Sequence, residues 1–195
     1  MNDKNTDWGI IGSMNGKVRI IGGEWRGRKL RVLDKPGLRP TQDRMRETLF
    51  NWLAMHLPGS RCLDLFAGSG ALGIEAASRG AKHVILVEKE REVVRNLNQH
   101  IATLGADNLE VIHADVIRFL KNSSSAFDIV FLDPPFRHDL VSPCCTLLEQ
   151  CGWIAPQTYI YLEEEVRLGQ PTLPTTWQVI RRQTAGQVAG FLVQR

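Results

Sequence analysis

The 195 residues contain no GxxxxGK[ST] stretch, no pair of cysteines at CxxC spacing and no apolar run near the roughly 20 residues that cross a bilayer. A P-loop nucleotide engine, a zinc ribbon and a transmembrane helix are thereby excluded. The chain has four cysteines, Cys62, Cys144, Cys145 and Cys151. Cys62 falls in an apolar segment and the other three lie in or beside a helical one, so unpaired and mostly buried thiols in a reducing compartment are expected. His113 and His138 lie in no metal-ligand constellation, and no metal is expected. The opening MNDKNTDWGIIGSMNG lacks the basic-then-apolar order of a secretory leader, which makes the cytoplasm the expected location.

What is present is a basic front and an α/β body. The net charge is only +3, yet Lys17, Arg19, Arg26, Arg28, Lys29, Arg31, Lys35, Arg39, Arg44 and Arg46 crowd the first quarter, whereas Glu163, Glu164 and Glu165 run together near the end. That asymmetry suits a phosphate-rich partner. Residues 1–16 read as a flexible tail, and 17–40 as a basic hairpin extension with short apolar runs around a glycine-bearing turn. A domain follows over 41–195. Its first helix opens at Pro40 and Thr41, the latter a cap, and carries Met45, Leu49, Trp52 and Leu53 on one face. Trp25 and Trp52 could line the face that meets a phosphate-rich partner, although Trp52 shares its helical face with Leu49 and fits the core better.

Strand and helix then alternate. Cys62 to Phe66 reads as a buried strand, Ser69 to Arg79 as a helix closed by Gly80, Val84 to Val87 as a strand and Arg91 to Leu104 as a helix closed by Gly105. Leu109 to Ile112 and Phe127 to Leu132 continue the sheet. A helix is expected around Leu140 to Cys151 despite Pro143, then a strand at Tyr159 to Leu162. A terminal antiparallel pair turning near Ala185 and Gly186 makes the sheet mixed, with helices on both faces.

Two segments carry chemistry. In LDLFAGSGALGIEA, Asp64, Gly68, Gly70 and Gly73 span a strand-to-helix turn, which makes a small-molecule cradle at the C-terminal edge of an open sheet. Glu88 ends the next strand about twenty residues on, where a carboxylate can accept both hydroxyl hydrogens of a ribose. Asp115 stands at the matching edge after the third strand and suits either a helix N-cap or an adenine amine, two compatible roles. In FLDPPFRHD, two prolines stiffen the chain after a buried strand and leave one carboxylate, backbone carbonyls and an aromatic ring at the strand end.

Together these residues resemble class I S-adenosylmethionine-dependent methyltransferases. The first motif of that family is matched by Asp64, Phe66, Gly68, Ser69 and Gly70, its ribose acid by Glu88, its adenine-side acid by Asp115, and its amine-methylating [D/N/S]PP[Y/F/W] motif by Asp133, Pro134, Pro135 and Phe136. With RIIGGEWRGRKL, GLRPTQDRMRETLFNWL and AGQVAGFLVQR added, the chain is similar to bacterial 16S ribosomal RNA guanine-N2 methyltransferases of the RsmD type, which modify guanine 966.

The resemblance implies a Rossmann-like α/β fold and a cofactor site of Asp64, Phe66, Ala67, Gly68, Ser69, Gly70, Glu88, Lys89, Asp115, Val116 and Asp133. It implies Asp133, Pro134 and Phe136 as catalytic residues. RNA contacts are expected at Arg39, Thr41, Arg44, Arg46, Pro135, Phe136, Arg137 and His138. S-adenosylmethionine is the expected cofactor, with S-adenosylhomocysteine released. The expected partner is 16S ribosomal RNA in a partly or fully assembled 30S subunit, with ribosomal proteins near the target loop, met by a monomer away from any membrane. Adenine-N6 methylation of DNA or RNA makes like demands on an exocyclic amine, and a non-catalytic nucleic-acid-binding module is the reading from a different class.

Overall fold

The twist and alternation of the strands set the layers. In a computed structural model, which describes residues 16–33, 43–122, 125–135 and 139–195, a two-stranded hairpin precedes a seven-stranded sheet. The hairpin is β1 (Gly16–Arg19) and β2 (Lys29–Val32). Helix α1 (Asp43–Trp52) leads into β3 (Arg61–Asp64), α2 (Gly73–Ser78), β4 (His83–Glu88), α3 (Arg91–Leu104) and β5 (Leu109–His113). Then come α4 (Val116–Leu120), β6 (Phe127–Leu132), α5 (Val141–Gln150), β7 (Ile154–Glu165), a 3-10 turn at Val166–Leu168, β8 (Gln178–Ala185) and β9 (Val188–Gln194). Of the expected tail only Gly16 is among the described residues.

The strand order is β5-β4-β3-β6-β7-β9-β8. The first five run parallel, and β9 inserts antiparallel between β7 and β8. Side-chain alternation splits the core in two. Cys62, Leu86, Phe131 and Tyr161 face α1, α2, α3 and the hairpin, while Leu63, Val87, Val130, Leu132 and Leu162 face α4 and α5. The sheet is mixed and covered on both faces, as its sequence pattern implies.

Two boundaries differ for local reasons, and one proline is absorbed. Helix α2 begins four residues later than the expected Ser69, because Gly68 (φ 49°) and Gly70 (φ 78°) hold the left-handed conformation and a right-handed helix cannot start until the chain has passed them. Strand β7 outruns Tyr159 to Leu162 because β9 continues to pair with it through Glu163, Glu164 and Glu165. Pro143 is accommodated in the first turn of α5, where its missing N–H has no intrahelical partner to lose.

The hairpin is seated on α2. Ile20, Trp25 and Leu30 enter the core, the Trp25 N–H donates to Ser78 Oγ at 3.0 Å, and Ser78 Oγ donates to the Gly22 carbonyl at 2.6 Å. The approach is so close that a Cβ on Gly23 would lie 1.8 Å from the Ser78 carbonyl oxygen. Trp25 is therefore a core residue, 6% exposed, and the expectation that it could line an RNA face is corrected by that burial. Trp52 is partly buried against the same cluster.

Candidate active site

Strand order reverses between β3 and β6, and at such a switch point the loops leaving the two strands diverge and open a crevice at their carboxyl ends. Asp64 pairs with Phe131 in register, and the Leu65 N–H donates to the Phe131 carbonyl at 3.0 Å. The glycine loop after β3 and the Asp133–Pro135 segment after β6 therefore leave the sheet side by side. Glu88 at the end of β4 and Asp115 beyond β5 complete the rim.

Asp64 is the anchor of the cradle. Its Oδ2 accepts the Gly73 N–H at 3.0 Å, tying β3 to the start of α2. Its Oδ1 is buried and is left without a hydrogen bond of good geometry, the Phe66 N–H bearing on the carboxyl only weakly. Burial pushes the carboxyl up to about 7, the Gly73 N–H opposes that rise, and the charge of Asp133 adds to it. Such an acceptor is suited to a cationic group from a ligand, which would satisfy the oxygen and favour the ionised form. Gly70 lets the loop lie directly on the core, since a Cβ there would meet Ile74 Cδ1 at 2.6 Å and Leu97 Cδ2 at 2.8 Å.

Glu88 is fixed by backbone donors. The Gly68 N–H reaches its Oε2 at 3.0 Å and the Glu90 N–H its Oε1 at 2.8 Å, so a diol-sized ligand on the rim would meet a carboxylate already aimed by the loop. The Ala67 N–H donates to the Val87 carbonyl at 3.0 Å. Ala67 and Ser69 are buried in that loop, and Phe66 is partly buried against the α4 and α5 side. Asp115 caps α4 by accepting the Arg118 N–H at 3.0 Å and remains exposed; Val116 behind it is buried. Lys89 is exposed, its carbonyl 2.9 Å from His113 Nε2. Among the described residues, no group of three or more His, Cys, Asp or Glu side chains could hold a metal ion.

Asp133 is half-buried, Pro134 buried and Pro135 half-buried. Phe136, Arg137, His138, Arg39 and Thr41 lie outside the described residues. Arg44 is exposed on α1. Arg46, expected at RNA phosphates, requires correction: it is 1% exposed, with Nη2 donating to Asp43 Oδ1 at 2.6 Å and to the Arg19 carbonyl at 2.8 Å, and Nη1 3.8 Å from Glu75 Oε2. The signal was in the period, because Arg46 stands three, four and seven residues before Leu49, Phe50 and Leu53 and shares their inward stripe. Burial also pushes the Cys62, Cys144 and Cys145 thiols up to about 12, which suits inert, unpaired cysteines. No helix among the described residues is long and apolar enough to cross a membrane.

Two polar side chains at this edge escape the sequence reading. Tyr161 and Glu163 are buried on β7, on the α1 side of the sheet, and the Tyr161 hydroxyl donates to Glu163 Oε1 at 2.9 Å. Their i, i+2 spacing on a strand is the signal that could have found them.

Comparison with known proteins agrees with this architecture. A family model described as Conserved hypothetical protein 95 matches residues 18–194. Ribosomal RNA small subunit methyltransferase D of Escherichia coli (strain K12) is 52% identical over 183 residues, covering 94% of this chain and 92% of that one. The protein of the same name from Haemophilus influenzae is 45% identical, covering 92% and 94%. The solved structure of a candidate methyltransferase, yhhF, from Escherichia coli superimposes with a TM-score of 0.87 at 49% identity, over 92% of this chain and 98% of that one.

Proposed function

The chain belongs to the family described as Conserved hypothetical protein 95, the family of the ribosomal RNA small subunit methyltransferases D, and on that premise we propose that it methylates the exocyclic N2 of guanine 966 in 16S ribosomal RNA. S-adenosylmethionine is the donor and S-adenosylhomocysteine the product. The observation that carries the reading is the adjacency of the glycine loop after β3 to the Asp133–Pro135 segment after β6, which brings a cofactor cradle and an amine-binding turn to one crevice.

The residues fit the cofactor on their own chemistry. The buried Asp64 Oδ1 suits the amino-acid ammonium, Glu88 the ribose hydroxyls and Asp115 the adenine amine. Bound there, the cofactor supplies an electrophilic methyl on a sulfonium. A guanine amine is a poor nucleophile because its lone pair is delocalised into the ring. Asp133 and the Pro134 carbonyl accept its two N–H groups, hold it in line and favour pyramidalisation. The amine becomes strongly acidic once methylated, so its proton leaves afterwards to Asp133 or water, and no base is needed before attack. Phe136 stacks on the extruded base, a contact worth about 1 to 3 kcal/mol.

The hairpin supports a phosphate-rich substrate. Lys17 stands directly opposite Arg31 and Arg19 opposite Lys29, on the solvent face of the ribbon whose other face buries Val18, Leu30 and Val32. Opposed like charges destabilise a strand pair, and a polyanion laid across them offsets that cost. This face, together with the exposed Arg44 of α1, docks on RNA of a partly assembled 30S particle, which supplies shape that a monomer of this size does not recognise alone.

The test is to map the methyl group that the purified protein adds to small-subunit particles from a strain lacking its gene. N2-methylguanosine at position 966 is expected. N6-methyladenosine would move the reading to adenine methylation, and no transfer would leave a non-catalytic nucleic-acid-binding module.

Cofactor binding should depend on pH. The Asp64 carboxyl, at about 7 in the free chain against an ordinary 3.8, binds its proton more tightly folded than unfolded. It therefore lowers the stability of the free chain as pH rises from about 4 to about 7. A cationic ligand recruits the ionised form, so S-adenosylmethionine affinity should rise about tenfold per pH unit up to about pH 7 and level off above it. Calorimetry in two buffers of different ionisation enthalpy should register about one proton released near pH 6. A flat affinity between pH 5.5 and 8, or the same slope in Asp64→Asn, would remove Asp64 from the ammonium site.

A further inference from the structure

Glu163 is a buried carboxylate on the inward face of β7. It is 4% exposed near the carboxyl end of β7, at the head of an acidic run that would ordinarily be solvated. Desolvating a carboxylate costs several kcal/mol unless its oxygens are well paired, and four elements cooperate to hold this one. The Tyr161 hydroxyl donates to Glu163 Oε1 at 2.9 Å. Gln183 Nε2, from β8, donates to the Tyr161 hydroxyl oxygen at 3.3 Å and to the Met45 carbonyl of α1 at 3.1 Å. Gly190 on β9 makes room for the phenol, since a Cβ there would lie 2.4 Å from the Tyr161 hydroxyl.

This assembly borders the amine-binding turn. Leu132 pairs with Leu162 across β6 and β7, so Asp133 and Glu163 each follow directly on a paired residue at the same end of the sheet, and the charge of Asp133 is felt at Tyr161. Burial, followed by the charge of Glu163 and more weakly that of Asp133, pushes the Tyr161 phenol well above its ordinary 10, so it stays a donor throughout the working pH range.

We propose that Glu163 selects guanine, accepting the N1–H of the target base while Asp133 engages the N2 amine. The inference rests on the guanine-N2 reading above and adds a specificity residue to it; Tyr161, Gln183 and Gly190 are positioning residues. Guanine presents donors on adjacent atoms, N1–H and the N2 amine, and two carboxylates at the same end of the sheet match them. Adenine has a lone pair at N1, which a carboxylate repels. A side chain only 4% exposed is reached by a base inserted to full depth, so the contact checks identity at the last stage of extrusion.

2,6-Diaminopurine keeps the N2 amine and lacks the N1–H, which isolates the predicted contact. On small-subunit RNA ligated with either base at the target position and packed with its proteins, the wild type should transfer at least about a hundredfold faster to guanine. Glu163→Gln still accepts from Tyr161 and can donate to N1 of diaminopurine, and should narrow that ratio below about tenfold with S-adenosylmethionine affinity unchanged. Tyr161→Phe should shift the ratio the same way by less, and it carries the test if Glu163→Gln does not fold. Equal slowing on both bases, with the wild-type ratio retained in both variants, would make Glu163 a structural acid and overturn the proposal. Absence of N2-methylguanosine from the wild type would instead remove the guanine reading itself.

Discussion

Asp133→Ala should lower the single-turnover rate of methyl transfer by about a thousandfold, the scale on which one preorganised electrostatic partner at a reacting centre acts. The effect belongs to the transition state. In the ground state the guanine amine is planar and its hydrogens can be met by water, whereas the pyramidal, partly cationic amine needs an acceptor held at a fixed place. Asp133→Asn keeps one acceptor oxygen at the same position and should lose only about tenfold, the difference reporting the charge. Cofactor binding should move the other way. Asp133 is one of the charges that raise the Asp64 carboxyl, and its removal eases ionisation of Asp64, so S-adenosylmethionine should bind slightly more tightly below pH 7. Quenched-flow transfer measured beside equilibrium binding separates the two effects. An alanine variant that transfers at the wild-type rate would remove Asp133 from the amine site.

Much of this crevice was legible because backbone requirements leave marks in sequence. Asp64, Gly68 and Gly70 are spaced by the geometry of one turn, and Glu88 follows at the distance that one helix and one strand impose. The proline pair after Phe127 to Leu132 is marked by its own stiffness. Residues whose role depends on which face they occupy were harder to place. Arg46 reads as another cation of the basic front, yet its phase with Leu49 and Leu53 turns it inward. Glu163 sits in a run of three glutamates that resembles a solvated end, and only the pairing of β7 with β9, two dozen residues further along the chain, brings it to the core side. Gln183 and Met45, 138 residues apart, meet because β8 pairs in turn with β9, and no local pattern announces it. Asp115 was legible as the cap of α4 because it stands just beyond the end of β5.

The largest loss of stability should come from Glu75→Ala. Glu75 is 1% exposed on α2 and gathers three parts of the chain. Its Oε2 accepts the Ile21 N–H at 2.8 Å, its Oε1 accepts the Gly22 N–H at 2.7 Å and Arg79 Nε at 2.7 Å, and Arg46 Nη1 of α1 lies 3.8 Å away. Arg46 in turn donates to the Arg19 carbonyl at the end of β1 and reaches the Ala71 carbonyl of the glycine loop at 3.5 Å. Alanine would leave two backbone donors without their acceptor and a buried guanidinium without its nearest buried anion. Breaking a buried pair from one side costs about 3 to 5 kcal/mol, a large share of the roughly 5 to 15 kcal/mol that holds a domain together. The midpoint of thermal unfolding should fall by about 10 °C. Arg46→Met should cost less, because Glu75 keeps the Ile21, Gly22 and Arg79 donors. Combining the two substitutions should cost less than their sum, since the methionine removes the cation that Glu75→Ala strands. Amide exchange should quicken first at Ile21 and Gly22, where the hairpin meets α2. Because the network ends on the Ala71 carbonyl, S-adenosylmethionine affinity should weaken in the folded variant as well. A midpoint within about 2 °C of wild type, with hairpin amides still protected, would mean that apolar packing of Ile20, Trp25 and Leu30 alone seats the hairpin.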